Sequence, residues 1–240
     1  MATSGPETIF SLAGFRVTNT LLATLLVDAV IIILVFVVRK RISLIPGKLQ
    51  GGVEAVVEYL YSTTEEVAGS RAPIIFPWVA IFFIYIALSN LMGLLPGFGT
   101  IGFHRAERFV PLLRVSTSDL NVTLALAIVS VFATHTLAIR TTGLGSYLKR
   151  FFALNPLLLF VGLLEIVSEL TKFLSFSFRL YGNISAGEAV LGTMANIFAF
   201  VVPIPFLVLE VLVGVIQALI FALLTLAFMT ILTEKHETTH

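Results

Sequence analysis

One stretch of the chain, LTKFLSFSFRLYGNISAGEAVLG at 170–192, places Arg179 among residues otherwise apolar enough for a membrane interior. Glu165, Glu169, Lys172 and Glu188 share the surrounding segment, while Glu210 and Gln217 stand on the last apolar run. An ionisable group at mid-bilayer costs on the order of 2.5–3.5 kcal/mol on insertion scales, so such groups face a protein interior or water and mark ion or substrate paths. The chain has no cysteine, which removes disulfides, thiolate metal sites and thiol nucleophiles. Chemistry falls to carboxylates, Arg, Lys, His and hydroxyls.

Helical geometry sorts these groups. At about 100° per residue, one face reads Glu165, Ser168, Lys172, Ser175, Arg179 and Asn183, a polar stripe along an apolar helix. Glu188, nine residues beyond Arg179, projects about 180° away, so the two face different surroundings and make no local ion pair. Pro203 and Pro205 in AFVVPIP mark a hairpin turn, because proline donates no helical hydrogen bond. Counted from a turn near residue 200, Glu188 and Glu210 come to similar depth, and Arg179 and Gln217 meet deeper. Two carboxylates at one depth can share a proton and spread their titration, which suits a relay.

Plainer readings stand beside these. Arg179 in an internal salt bridge would only fix packing, although a guanidinium that never loses its proton is a costly packing device in a membrane. Glu165 and Lys172 also fit an exposed helical end. Asp28 faces a neighbouring helix or lipid headgroups, and Asp119 and Asn121 cap a helix start. His104 and His135 read as surface residues, with no second histidine at metal-site spacing. No metal and no cofactor are expected.

The elements that must position these groups follow from composition. The 240 residues are 58% hydrophobic and 12% charged, with mean hydropathy +1.02, where a soluble domain carries about 25% charged residues. The chain is therefore expected to be a polytopic membrane protein, and its net charge of +1 gives no reason for a nucleic-acid partner. A spanning helix needs about 20 mostly apolar residues. Runs at 20–38, 74–95, 119–139, 155–200 and 203–233 meet that need, the fourth long enough to tilt, break or reach into water. Residues 48–69 alternate Val53, Val56, Val57, Leu60 and Val67 with glutamates at helical spacing, as in an amphipathic surface helix. Residues 1–19 lack a signal peptide's layout and read as a short external tail. The expected fold is one all-α integral membrane domain, 1–240, of five transmembrane spans and one amphipathic surface helix. Basic residues favour the cytoplasmic side; an outside N-terminus and a cytoplasmic C-terminus put nine Lys or Arg inside and four (Arg16, Arg105, Arg108, Arg114) outside.

The motifs SFRLYGNISAGE, SNLMGLLPG, SDLNVTLALA and IQALIFALLTLAFMTI run through nearly the whole chain, and the chain resembles subunit a of the bacterial-type F-type ATP synthases. The resemblance implies a non-catalytic stator subunit of the membrane sector, with two offset proton half-channels to a ring of small hairpin subunits. It makes Arg179 the essential stator arginine, Glu188 and Glu210 proton-handling groups of the outer path, and Gln217 a polar partner near the arginine. It puts Asn183, Glu165, Ser168 and Ser175 along the aqueous paths, with Lys172 on the same stripe, and tilts the last two spans along the ring. Where some bacterial members carry histidine, this chain has Glu210, and Tyr181 stands where phenylalanine is usual. The implied partners are the c-ring, peripheral-stalk b subunits, membrane lipid and protons, with sodium left open, in a bacterial plasma membrane. No nucleotide is expected to bind directly, in keeping with the lack of a GxxxxGK[ST] loop. An autonomous transporter using Arg179 for an anionic substrate is the other class of reading, but the chain lacks the paired halves common in transporters. A purely structural scaffold leaves the polar stripe without a purpose.

Overall fold

The computed structural model describes residues 5–12, 14–105, 108–151, 156–197 and 203–234. The turn in AFVVPIP and most of the C-terminal tail lie outside the described residues. In chain order the elements are β1 (Thr8–Leu12), β2 (Phe15–Thr18), α1 (Asn19–Lys40), α2 (Lys48–Ala68), α3 (Ala72–Gly93), β3 (Gly102–Arg105), β4 (Arg108–Pro111), α4 (Leu120–Thr142), α5 (Leu144–Phe151), α6 (Pro156–Ile197) and α7 (Pro203–Thr233).

Helices dominate because a backbone in hydrocarbon must satisfy its own hydrogen bonds. Their ends follow local chemistry. Thr18 caps α1 by accepting from the Leu21 amide, and α1 closes on Arg39 and Lys40. Asp119 caps α4 through the Asn121 amide at 2.9 Å, as its sequence position predicts. Gly143, at φ 82, ends α4 in a conformation that a side chain would strain.

Four helical stretches are long and apolar enough to cross a membrane: Asn19–Lys40, Lys48–Gly93, Leu120–Thr142 and Pro203–Thr233. The second merges α2 and α3 through a short 3-10 turn at Gly69–Arg71. Helix α6 has 42 residues, about 63 Å of rise, but carries Glu165, Glu169, Lys172, Arg179 and Glu188 and is not among the four. Two β-hairpins, β1–β2 and β3–β4, add to the helical plan in segments that read as a tail and a loop. Alternating helical faces are not needed there, and short antiparallel pairing satisfies the backbone instead.

Helices α3, α4, α6 and α7 pack around Phe82, Ile86, Ala127, Phe176, Leu180 and Phe221. Phe176 and Phe221 stack tilted with ring centroids 4.9 Å apart. A second cluster joins α2 to this body through Leu60, Ile75, Val79, Leu226 and Met229. On α2 the fully packed positions are Gln50, Leu60, Thr64 and Ala68, whereas Val56 and Val67 are exposed. The helical period selected a stripe slightly rotated from the valine face, because the contact partner rather than hydrophobicity sets the azimuth. Helix α1 buries Ala23 and Val27, but Ile32, Ile33, Val35 and Phe36 further along it are exposed.

Polar struts cross between the helices. Asn90 Nδ2 donates to the Gly214 carbonyl at 2.9 Å, and Thr117 Oγ1 donates to Asn90 Oδ1 at 2.6 Å. Gly214 lies so close to the Asn90 Cβ, 3.0 Å from where its own Cβ would be, that α3 and α7 meet backbone to side chain. Thr20 donates to Asp119 at 2.9 Å, and Ser130 pairs with Thr225 at 2.9 Å. Arg71 Nη1 donates to the Thr230 carbonyl and to Thr233 Oγ1, at 2.9 and 3.0 Å. A cation thus sits at the C-terminal end of α7, where the helix dipole favours it.

Candidate functional site

Two cavities lie along α6. The larger, about 650 Å³, is walled by the end of α3, the loop after it, Arg114, Glu188 and Glu210. The smaller, about 450 Å³, is lined by Ser168, Thr171, Lys172, Ser175, Arg179 and Phe228 among others. Arg179 and Glu188 are nine residues apart, about 13.5 Å of helical rise, and each lines a different cavity. The angular separation expected from the sequence therefore has a spatial counterpart.

Glu188 and Glu210, separated by 22 positions, do come to one cavity. The Glu210 carboxylate lies against Gly187 of α6, where an added Cβ would run into it. Glu188 has a partner that the sequence did not disclose: Arg114 Nη2 lies 3.4 Å from its Oε2. The same guanidinium donates to the Gly5 carbonyl at 2.8 Å and to Ser118 Oγ at 3.2 Å. Arg114 was counted only as an outer-loop charge, yet its side chain is 15% exposed. Its one available signal was its place in VPLLRVSTS, a cation between an apolar run and buried hydroxyls. Since both members of this pair are partly withdrawn from water, their attraction exceeds that of a screened surface pair.

Gln217 is buried on α7, and its Oε1 accepts from Asn183 Nδ2 at 2.8 Å. The cross-helix hydrogen bond is thus made by Asn183, one turn beyond Arg179. Arg179 is exposed and donates to Ser175 Oγ at 3.3 Å. Its neighbours Leu174 and Phe178 are exposed as well, at 42% and 54%, so apolar side chains flank the cation. Ser168, Ser175 and Lys172 line the cavity with Arg179, as the shared helical face predicts, and Thr171 joins them. Glu165 is half-buried one to two turns away.

Lys172 is not a bare water-facing charge. Its Nζ bonds Glu169 Oε1 at 2.8 Å and stands 4.2 Å from the Phe228 ring centre. His135, expected at the surface, is drawn inward: Glu169 Oε2 lies 3.8 Å from its Nε2, and Tyr147 Oη pairs with its Nδ1 at 2.7 Å. Sequence spacing could not pair residues on three different helices. Asp28, half-buried on α1, lies near enough to Tyr85 of α3 to act on it electrostatically, a neighbouring-helix placement as expected. Among the described residues no three His, Asp or Glu side chains are grouped to hold a metal.

Arg179, midway along α6, thus has a carboxylate-bearing cavity beyond it and a hydroxyl-lined cavity beside it. The sequence profile described as ATP synthase A chain matches residues 21–230. ATP synthase subunit a of Legionella pneumophila is 32% identical over 229 residues, covering 95% of this chain and 92% of that protein. The subunit a of Moorella thermoacetica is 30% identical over 231 residues, 96% of this chain and 98% of the relative. ATP synthase subunit a 3 of Pelobacter propionicus is 34% identical over 209 residues, 85% and 83% of the two chains.

Proposed function

The chain belongs to the ATP synthase A chain family, and on that premise we propose that it is the stator that carries protons to and from the rotor ring. The family and the apolar helices make it a multi-pass membrane component of the ATP synthase. The observation that carries the finer reading is the pair of cavities on α6 with Arg179 at the inner one and Glu188 at the other. In the proposed cycle a proton enters the larger cavity, passes through Glu188 and Glu210, and neutralises a ring carboxylate at mid-membrane. After nearly a full turn the carboxylate reaches the smaller cavity and gives up its proton there.

Arg179 supports this reading through its charge and its exposure. A guanidinium does not titrate, so it favours the ionised form of an arriving carboxylate and bars direct transfer between the two paths. Lysine would shed its charge more readily at such a site. Asn183 and Gln217 hold α6 and α7 together one turn from the cation. Each proton descending 100 mV yields about 2.3 kcal/mol, so rotation must sum several steps for each ATP made elsewhere. Exposed apolar residues around Arg179 suit a ring of hairpin helices, and the exposed far half of α1 suits the peripheral-stalk b subunits. In this reading α6 is the fifth span, strongly tilted, and its charges face the paths rather than lipid.

The distribution of basic residues and the bacterial relatives support a bacterial plasma membrane with the C-terminus inside. On this orientation the larger cavity opens outward and the smaller one inward. The reading is tested by ATP-driven acidification of inverted vesicles carrying Arg179→Ala, with assembly checked by purification. Expected is an assembled complex that does not acidify. Acidification near the original rate would reduce Arg179 to a packing residue and end this mechanism.

A further inference from the structure

The polar cluster around His135 is left unused by the cycle above. It joins three helices: Tyr147 on α5, His135 on α4, and Glu169 with Lys172 on α6. The contacts form a line. Tyr147 Oη pairs with His135 Nδ1 at 2.7 Å, His135 Nε2 faces Glu169 Oε2 at 3.8 Å, and Glu169 Oε1 bonds Lys172 Nζ at 2.8 Å. Lys172 in turn lines the cavity that holds Arg179. We propose that His135, Glu169 and Tyr147 form a proton-collecting station beside the inner path, exchanging protons between the inner water and the cavity at Arg179. The inference rests on the function proposed above.

Supply is the physical need for such a station. At about pH 8 the free proton concentration is about 10⁻⁸ M, so even a capture constant at the diffusion limit, on the order of 10¹⁰ M⁻¹s⁻¹, delivers only about 100 protons per second to one site. A nearby group that exchanges protons enlarges the target, and imidazole, with one nitrogen to accept a proton and one to donate it, is the side chain suited to that exchange. Glu169 is the link. One of its oxygens is taken by Lys172, which leaves the other to face the imidazole.

The charged groups acting on His135 are Glu169, Lys172 and Glu165, all on α6; α7 contributes the Phe228 ring beneath Lys172. Glu169 and His135 are 14% and 24% exposed, shielded enough to be held in register yet open to water. The transfer balances simply: a hydronium ion at the α4–α5 corner gives its proton to the imidazole and becomes water, the imidazole gives the proton to the carboxylate or a water beside it, and the proton passes into the cavity. The reverse order serves release during synthesis.

The test uses the whole complex in inverted vesicles, where the medium is the inner side, and compares initial ATP-driven acidification by His135→Gln with the unchanged chain at two pH values. At about pH 8, where supply limits, the ratio falls to about one third or less; at about pH 6 it returns to near one, because protons are then about a hundredfold more abundant. Millimolar imidazole in the medium restores the rate at the alkaline value by carrying protons in place of the side chain. A ratio of one at both values, or an equal loss at both that imidazole does not restore, overturns the proposal and leaves the cluster a packing contact. Should His135→Gln fail to assemble, Glu169→Gln carries the same comparison with the same expected sign. Arg179→Ala separates the two readings: if that variant pumps, the stator function fails; if it does not, the His135 result bears on the station alone.

Discussion

Gly187 illustrates how a single hydrogen in place of a methyl group can make room for a carboxylate from the neighbouring helix. Glu210 reaches across from α7 and rests against the α6 backbone at that position, in the space that a Cβ would fill. Gly187→Ala is expected to displace the flexible end of Glu210 at little cost in stability, because a side-chain tip moves more easily than a helix. Assembly should therefore persist while ATP-driven pumping falls severalfold, measured in the same vesicles as Arg179→Ala. Unchanged pumping would show that the position of the Glu210 carboxylate does not matter.

Helices meet at polar struts, and the strongest case is α3 against α7 at Asn90. The amide bonds the Gly214 carbonyl on one side and accepts from Thr117 on the other. Hydrogen bonds between membrane helices are worth about 0.6 kcal/mol on average and up to about 1.7. Asn90→Ala loses two of them and is expected to destabilise the assembled complex by roughly 1–3 kcal/mol. Thermal unfolding of the purified complex should show this as an earlier release of the chain, and an unaltered profile would mean that apolar packing alone joins α3 to α7. The Ser130–Thr225 and Ser177–Thr123 bonds repeat the device between α4 and its neighbours. Between oily helices, where lipid is as apolar as leucine, such bonds and close packing replace the hydrophobic effect as the source of specificity.

Two cavities lie along α6, Glu188 and Glu210 lining one and Arg179 the other. If they are half-channels, they open to opposite sides of the membrane. The chain has no cysteine, so a single introduced thiol reports without background from this subunit. Leu207→Cys in the larger cavity is expected to react with an impermeant maleimide from the outside, and Ser168→Cys in the smaller one from the cytoplasmic side, read in right-side-out and inverted vesicles. Labelling of both from one side would sink the offset-path reading and the orientation together.

The sequence by itself determined everything that depends on local period and composition. Apolar runs placed the helices, the spacing of Glu165, Ser168, Lys172, Ser175 and Arg179 put them on one face, and a separation of nine positions turned Glu188 away from Arg179. The motif RLYGN, the glutamate nine positions after its arginine and QALIF in the last apolar run together pointed to the family. Tertiary structure decided what no period encodes. Arg114 meets Glu188 across 74 positions, Thr20 meets Asp119 across 99, and His135 meets Glu169 although they sit on separate helices. Two hairpins of β-structure also arose where the sequence showed no alternation strong enough to announce them. A helix fixes the azimuth of its own side chains through about 100° per residue, but which neighbour stands at that azimuth depends on how all the helices pack, and that is a property of the folded whole.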